Sequence, residues 1–258
     1  MGGVARHPWR VASRLVRFLG ANFGGILDHY WNMHRRGLGT DPRACADWLQ
    51  RWSRRHMESI DLGMDCVGRV PSEGLIVSNH LGYIDIPLLA VTRPMVFVSK
   101  AEVANWPIMG ALARCGGTLF LKREQRGHVA EIAAAFQAII DTGTVITLFP
   151  EGTSTGGDEI LPFRPSLFEP AVANGWTVTP AWVGYRVEGG EGTVSDDVAY
   201  WRDMTFGPHF LGVLAKRRIM GRVHYGEPVR GIRDRKELAK RLHAEVCALK
   251  ARHEAALR

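Results

Sequence analysis

Residues Gly74–Pro87 read Gly-Leu-Ile-Val-Ser-Asn-His-Leu-Gly-Tyr-Ile-Asp-Ile-Pro, and the fold turns on how they are read. Leu75, Ile76, Val77 and Ser78 make a run short and apolar enough for a buried strand. The run ends on Asn79-His80, and Asp85 follows at the fifth position after the histidine. On one regular helix, residues at that spacing point about 140° apart and never meet. A strand end, a tight turn through Gly82 and a new helix capped by Asp85 would bring them together. Pro87 then falls in the first helical turn, where its missing N–H is no loss. In that geometry His80 is a base at a strand mouth, and Asp85 orients and charge-balances its imidazole. The plain alternative is a histidine that caps a turn. The same spacing recurs from His56 to Asp61, with no strand before it and no proline after it. His56 is therefore expected as a surface histidine on a basic helix.

Downstream of this stretch, apolar runs alternate with helical periodicity. Strands are expected at 95–99, 118–121, 144–149, 176–185 and 219–225. Helices are expected at 101–115 with a break near Pro107, at 128–141 with Ile132, Ala135, Phe136 and Ile139 inward, at 206–216 and at 236–257. An acidic, Gly-rich loop fills 188–197. The alternation predicts an α/β fold, a single domain over 68–258 whose mixed, largely parallel sheet is flanked by helices. In such sheets the site gathers at the strand ends.

Upstream, residues 1–67 read as a basic, amphipathic helical pair. Residues 1–60 hold ten Arg against Asp28, Asp41, Asp47 and Glu58, which is most of the formal charge of +7. From Trp9 to Trp31, Ala12, Leu15, Val16, Leu19, Phe23, Ile26, Leu27 and Tyr30 recur at helical spacing, with Arg10, Arg14 and Arg17 on the other side. Such a helix, with aromatic residues at both ends, suits a lipid interface. It also suits packing on its own domain. Arg14, Arg17, Asn22 and Asp28 interrupt the apolar run, so neither a bilayer span nor a cleaved secretory signal is expected. Thr40-Asp41-Pro42 opens a second helix, with Trp48, Leu49 and Trp52 on one side. No motif interleaves aromatic and basic residues on a reading surface, so nucleic acid is not an expected partner.

With 46% hydrophobic and 23% charged residues, the chain has the material for a sizeable core. Cys45, Cys66, Cys115 and Cys247 are scattered without Cys-x-x-Cys, which indicates neither a disulfide framework nor a metal site.

Three further clusters fall where strands end. Thr118-Leu119-Phe120-Leu121 runs into Lys122-Arg123, Phe149-Pro150-Glu151-Gly152-Thr153-Ser154 closes the next strand, and Thr179-Pro180 interrupts an apolar one. A proline there is expected at an edge or bulge. Together with Asn79-His80-x4-Asp85, in this order, these blocks resemble the four motifs of the glycerolipid acyltransferase family, the lysophosphatidate (1-acyl-sn-glycerol-3-phosphate) acyltransferases and related lysolipid acyltransferases. The resemblance covers roughly 68–225.

It implies an O-acyltransferase moving a fatty acyl group from a thioester, acyl-CoA or acyl-carrier protein, to the free hydroxyl of a lysolipid. No metal or other cofactor is called for. His80 and Asp85 correspond to base and orienter. Arg123, Glu151 and Gly152 match positions associated with the acceptor's head group, with Asn79 and Thr153 beside them, and Lys100 matches a basic residue many members have. The oxyanion would be steadied by backbone donors or by Lys100. Relatives also seat amphipathic N-terminal helices on membranes, so an anionic lipid surface on the cytoplasmic face is the expected location. Lysophosphatidate is the leading acceptor. Where many relatives carry Arg after Phe-Pro-Glu-Gly-Thr, however, this chain has Ser154. That leaves room for a lyso-ornithine lipid or another lysophospholipid. Arg164 either replaces the lost charge or is solvated.

Two rival readings make different demands. Gly152-Thr153-Ser154-Thr155-Gly156 satisfies the nucleophile elbow of serine esterases, which needs a helix directly behind Ser154. A non-catalytic membrane-surface protein would bind lipid through 1–60 and turn nothing over.

Overall fold

The computed structural model describes residues 7–106, 108–121 and 129–256. In chain order the elements are α1 Pro8–Asn32, α2 Pro42–Ser59, β1 Leu62–Val67, β2 Leu75–Ser78, α3 Asp85–Ala90, β3 Met95–Lys100, α4 Met109–Cys115, β4 Leu119–Leu121, α5 Val129–Asp141, β5 Val145–Leu148, α6 Glu169–Asn174, β6 Val178–Val187, α7 Val194–Asp197, α8 Phe206–Ala215, β7 Ile219–Tyr225 and α9 Arg235–Ala255. Among the described residues the strands form one seven-stranded sheet, ordered β1-β7-β6-β2-β5-β3-β4. Strands β2 to β6 run parallel, β7 is antiparallel to β6, and β1 is parallel to β7. The expected α/β class and mixed, largely parallel sheet are thus present. β2 and β5 are buried along their whole length, which is why they read as continuous apolar runs and not as alternating ones.

Two strands depart from the sequence reading. β1 lies inside the segment read as helical, so the sheet starts at Leu62. Its Leu-Gly-Met-Asp-Cys-Val carries Gly63 and Asp65, poor strand formers, and it is an edge strand held by β7. Pro180 lies within central β6, paired in register with Val77 of β2. On its other side Pro180 accepts from Gly226 N at 2.8 Å, just where β7 ends before Val229 rejoins Val178. The missing N–H therefore faces Gly226, one residue past the end of β7, and costs the sheet a single bond at that margin.

Helix α1 packs on α2 and α8 through a stripe of Val11, Arg14, Phe18, Asn22 and Gly25. Arg14 is 3% exposed. Its guanidinium donates to Asp61 Oδ2 at 2.8 Å, to Leu214 O at 2.9 Å and to Arg217 O at 2.8 Å, closing the carboxyl end of α8. A cation suits those orphan carbonyls and their partial negative charge. Gly25 lets the helices approach closely, since a Cβ there would sit 2.5 Å from Trp52 Cδ1. The apolar side faces out: Trp9 is 87% exposed, and Val16, Leu19, Phe23, Leu27, Tyr30 and Trp31 are exposed with it.

His56 is buried, not at the surface as its basic neighbours suggested. It follows Trp52 by one helical turn and so lies on the inward stripe of α2, while Arg51, Arg54 and Arg55 point out. Its ring packs between Phe18 at 5.2 Å and Trp52 at 4.6 Å, and its Nδ1 has no partner. Asp61 turns away to Arg14 and Arg17, so this second His-x4-Asp spacing makes no pair. Burial lowers the His56 pKa from 6.5 to about 4. The fold therefore holds the neutral ring, a contribution present above pH 6.5 and lost as pH falls through 4. By pH 5 that loss is about 2 kcal/mol. His56→Phe is expected to flatten the fall in Tm between pH 7.5 and 5 by roughly 5 °C. Equal slopes for both proteins in thermal melts would contradict this.

Candidate active site

β2 ends at Ser78, but the Asn79 side chain carries its pairing one step further. Asn79 Nδ2 donates to Val183 O at 2.9 Å, and Val183 N donates to Asn79 Oδ1 at 2.8 Å, as a backbone residue would. The chain leaves the sheet at His80, and the polar backbone groups that follow are pinned in turn. His80 N donates to Glu151 Oε1 at 2.7 Å, Thr155 N to His80 O at 2.9 Å, and Tyr200 N to Leu81 O at 2.7 Å. At Gly82, with φ of 156°, a Cβ would lie 2.9 Å from Tyr200 N, so only glycine fits the turn.

Asp85 is not the cap that the sequence suggested. Ile84 holds the cap position, and Asp85 is the first residue of α3. Its Oδ2 turns back to accept from Leu81 N at 2.7 Å and Gly82 N at 3.0 Å, amides that burial would otherwise leave orphaned. The same oxygen lies 2.7 Å from His80 Nδ1, and Tyr185 Oη donates to Oδ1 at 2.6 Å. Asp85 is wholly buried, whereas the His80 side chain is 23% exposed. A carboxylate at Nδ1 calls for the proton there, which leaves the Nε2 lone pair available. The imidazole stacks on Phe149, with centroids 4.1 Å apart.

Of the other candidates, Glu151 touches the His80 loop, and Gly152, Thr153 and Lys100 line the cavity beside it. Glu151 is buried, and its second oxygen accepts from Leu161 N at 2.7 Å. Burial pushes its carboxyl up to about 7 against the pull of those two amide donors. With both oxygens engaged inside the protein, Glu151 braces the His80 loop; this is a different contact from the head-group contact implied for it. Gly152 has φ of 76°, and the Arg164 guanidinium lies over it, with Nε 2.6 Å from where a Cβ would stand. Thr153 is exposed, and Lys100 ends β3 at the cavity described below. Arg123 lies outside the described residues. Ser154 donates to Tyr200 O at 2.5 Å, and residues 152–160 are turns and bends with no helix behind the serine. The nucleophile elbow is therefore not formed.

A largely apolar cavity of about 360 Å³ opens beside the pair, running from His80 and Phe149 past Phe97 to Leu112, Trp52 and His56. That volume lies in the range of small-ligand pockets. Among the described residues, no group of three or more His, Cys, Asp or Glu could hold a metal ion. Sequence reasoning missed Tyr185 and the strand-extending use of Asn79. For Tyr185 the only available signal was its parity with Ala181 and Val183 along β6.

A family model described as Acyltransferase matches residues 66–184. A lyso-ornithine lipid O-acyltransferase of Rhodobacter capsulatus is 40% identical over 149 residues, 56% of this chain and 53% of that protein, so the match spans about half of its length. One from Pseudomonas aeruginosa is 33% identical over 183 residues, 70% of each chain. A 1-acyl-sn-glycerol-3-phosphate acyltransferase of Neisseria meningitidis is 29% identical over 169 residues, 64% of this chain and 66% of that protein. The crystal structure of the 1-acyl-sn-glycerophosphate acyltransferase PlsC from Thermotoga maritima superposes with a TM-score of 0.68, covering 99% of this chain and 98% of that one at 18% identity, and so shares the fold. The chain belongs to the acyltransferase family, alongside the lysolipid O-acyltransferases.

Proposed function

We propose that the protein moves a fatty acyl group from a thioester donor, acyl-CoA or acyl-carrier protein, to the hydroxyl of a lysolipid at a membrane surface. The observation that carries this is the 2.7 Å contact of His80 Nδ1 with buried Asp85, beside a cavity apolar enough for an acyl chain. A lipid hydroxyl is a poor nucleophile at neutral pH. His80 Nε2 takes its proton as the oxygen attacks the thioester carbon, the C–S bond breaks, and the thiolate leaves with a proton from the imidazolium. Asp85 balances the transient positive charge. The thioester is already activated, so the chemistry needs no covalent enzyme intermediate.

A lyso-ornithine lipid is the favoured acceptor and lysophosphatidate the second. Two relatives at 33% and 40% identity carry the first name, and Ser154 removes a cation suited to a bare phosphomonoester. Arg164 beside Gly152, with Lys100 and Arg123, supplies the charge that meets the head group. The outward apolar side of α1 lies in the lipid interface, on the cytoplasmic face. No helix among the described residues is long and apolar enough to cross a membrane. Incubation of the protein with both donor types and a panel of lysolipids, read by mass spectrometry, is expected to give an acylated lyso-ornithine lipid; acylation of lysophosphatidate alone would reverse the order. Ser154→Ala is expected to keep activity within about threefold, because its hydroxyl only fastens Tyr200 O. Loss of nearly all activity would instead indicate a serine esterase.

A further inference from the structure

Tyr185 lies where no motif points. β6 pairs with β2 only as far as Ala181 opposite Ser78, and Tyr185 overhangs the mouth on the same pleat face as Ala181 and Val183. The Asn79 amide fastens Val183 to the end of β2, which holds this overhang against Asp85. Tyr185 Oη then meets Asp85 Oδ1 at 2.6 Å, on the oxygen His80 does not use. The residue is partly exposed, but its hydroxyl is enclosed, and burial followed by the nearby Asp85 charge raises the phenol well above its ordinary value. Tyr185 therefore keeps its proton and donates it.

His80 Nδ1, Leu81 N and Gly82 N all converge on Oδ2. A carboxylate held at one oxygen is free to swing the other. A donor on Oδ1 fixes its plane and draws charge away from the oxygen that faces the imidazole. We propose that Tyr185 is a positioning residue for acyl transfer: it locks the Asp85 carboxylate and thereby sets how basic His80 is when it takes the acceptor's proton. The inference rests on the assignment of His80 as the base.

The test is Tyr185→Phe in the full chain, read by the pH dependence of kcat and kcat/KM and by NMR titration of the ¹⁵N-labelled His80 ring. Without the hydroxyl, Asp85 carries more charge towards His80 and favours the imidazolium. The His80 titration and the acid limb of the rate profile are expected to move to higher pH by about half a unit or more. kcat is expected to fall about tenfold or more with both KM values unchanged. Fluorotyrosine at position 185 keeps the shape and donates more strongly, so it is expected to move the titration the opposite way. It also decides the matter alone if the Phe variant does not fold. An unmoved His80 titration in the folded variants, or a raised KM with kcat intact, would overturn the inference. The NMR titration needs no turnover, so it stays readable even if the wild-type protein transfers no acyl group, and the two failures remain separate.

Discussion

Replacing His80 by alanine is expected to lower acyl transfer by about 10²–10⁴, the contribution typical of a positioned general base. The fold should survive. What pins this loop is backbone: His80 N on Glu151, His80 O under Thr155 N, and the Leu81 and Gly82 amides on Asp85. None of these involves the imidazole, whose removal costs the stacking on Phe149 and the contact with Asp85. Liposome binding should also be unchanged, since the outward side of α1 does not depend on the ring. Mass spectrometry of product, thermal melts and liposome co-sedimentation read the three properties separately. Transfer at the wild-type rate would end the assignment of His80 as the base. Asp85 differs, because Asp85→Ala would orphan two backbone amides and so is expected to lower stability as well as rate.

The second large effect is expected at the membrane. Phe23 is 68% exposed and Leu27 42% exposed on a helix whose Arg14 stripe is already bound to the domain. A solvated helix has no physical reason to turn this side outward, whereas a lipid interface gives one. Burying each side chain in lipid contributes about 1.5–3 kcal/mol. Replacing both by Asp is therefore expected to weaken binding to anionic liposomes by about a hundredfold or more, with an unchanged Tm. Turnover of a short-chain, water-soluble acyl thioester and acceptor should persist, because Phe23 and Leu27 are remote in the chain from the His80 loop and line no part of the cavity. Undiminished liposome binding would place the lipid contact elsewhere.

Much of the fold was legible because its signals are local. A run of four buried residues announces β2, a 3.6-residue period announces α5, and a glycine before an aspartate announces the turn between His80 and Asp85. The boundaries of β3, β5, β7 and α8 lie within a residue or two of the expected ones. The failures arose where a partner distant in the chain decides the outcome. β1 exists because β7 offers it an edge, and Pro180 is tolerated in mid-sheet because it faces Gly226, just past the end of β7.

The sequence by itself determined the class of sheet, the histidine–aspartate spacing and the presence of an apolar stripe on the first helix. These depend on short-range periodicity and on residue chemistry, which a linear chain already contains. Only the tertiary structure decided which side of that helix faces the protein, that His56 is interior, that Glu151 braces a loop, and that Tyr185 completes the hydrogen bonding of Asp85. Periodicity tells that a face is apolar or charged but not what covers it. Here the deciding groups were the orphan carbonyls at the end of α8 and a carboxylate oxygen far along the chain, brought into reach by packing alone.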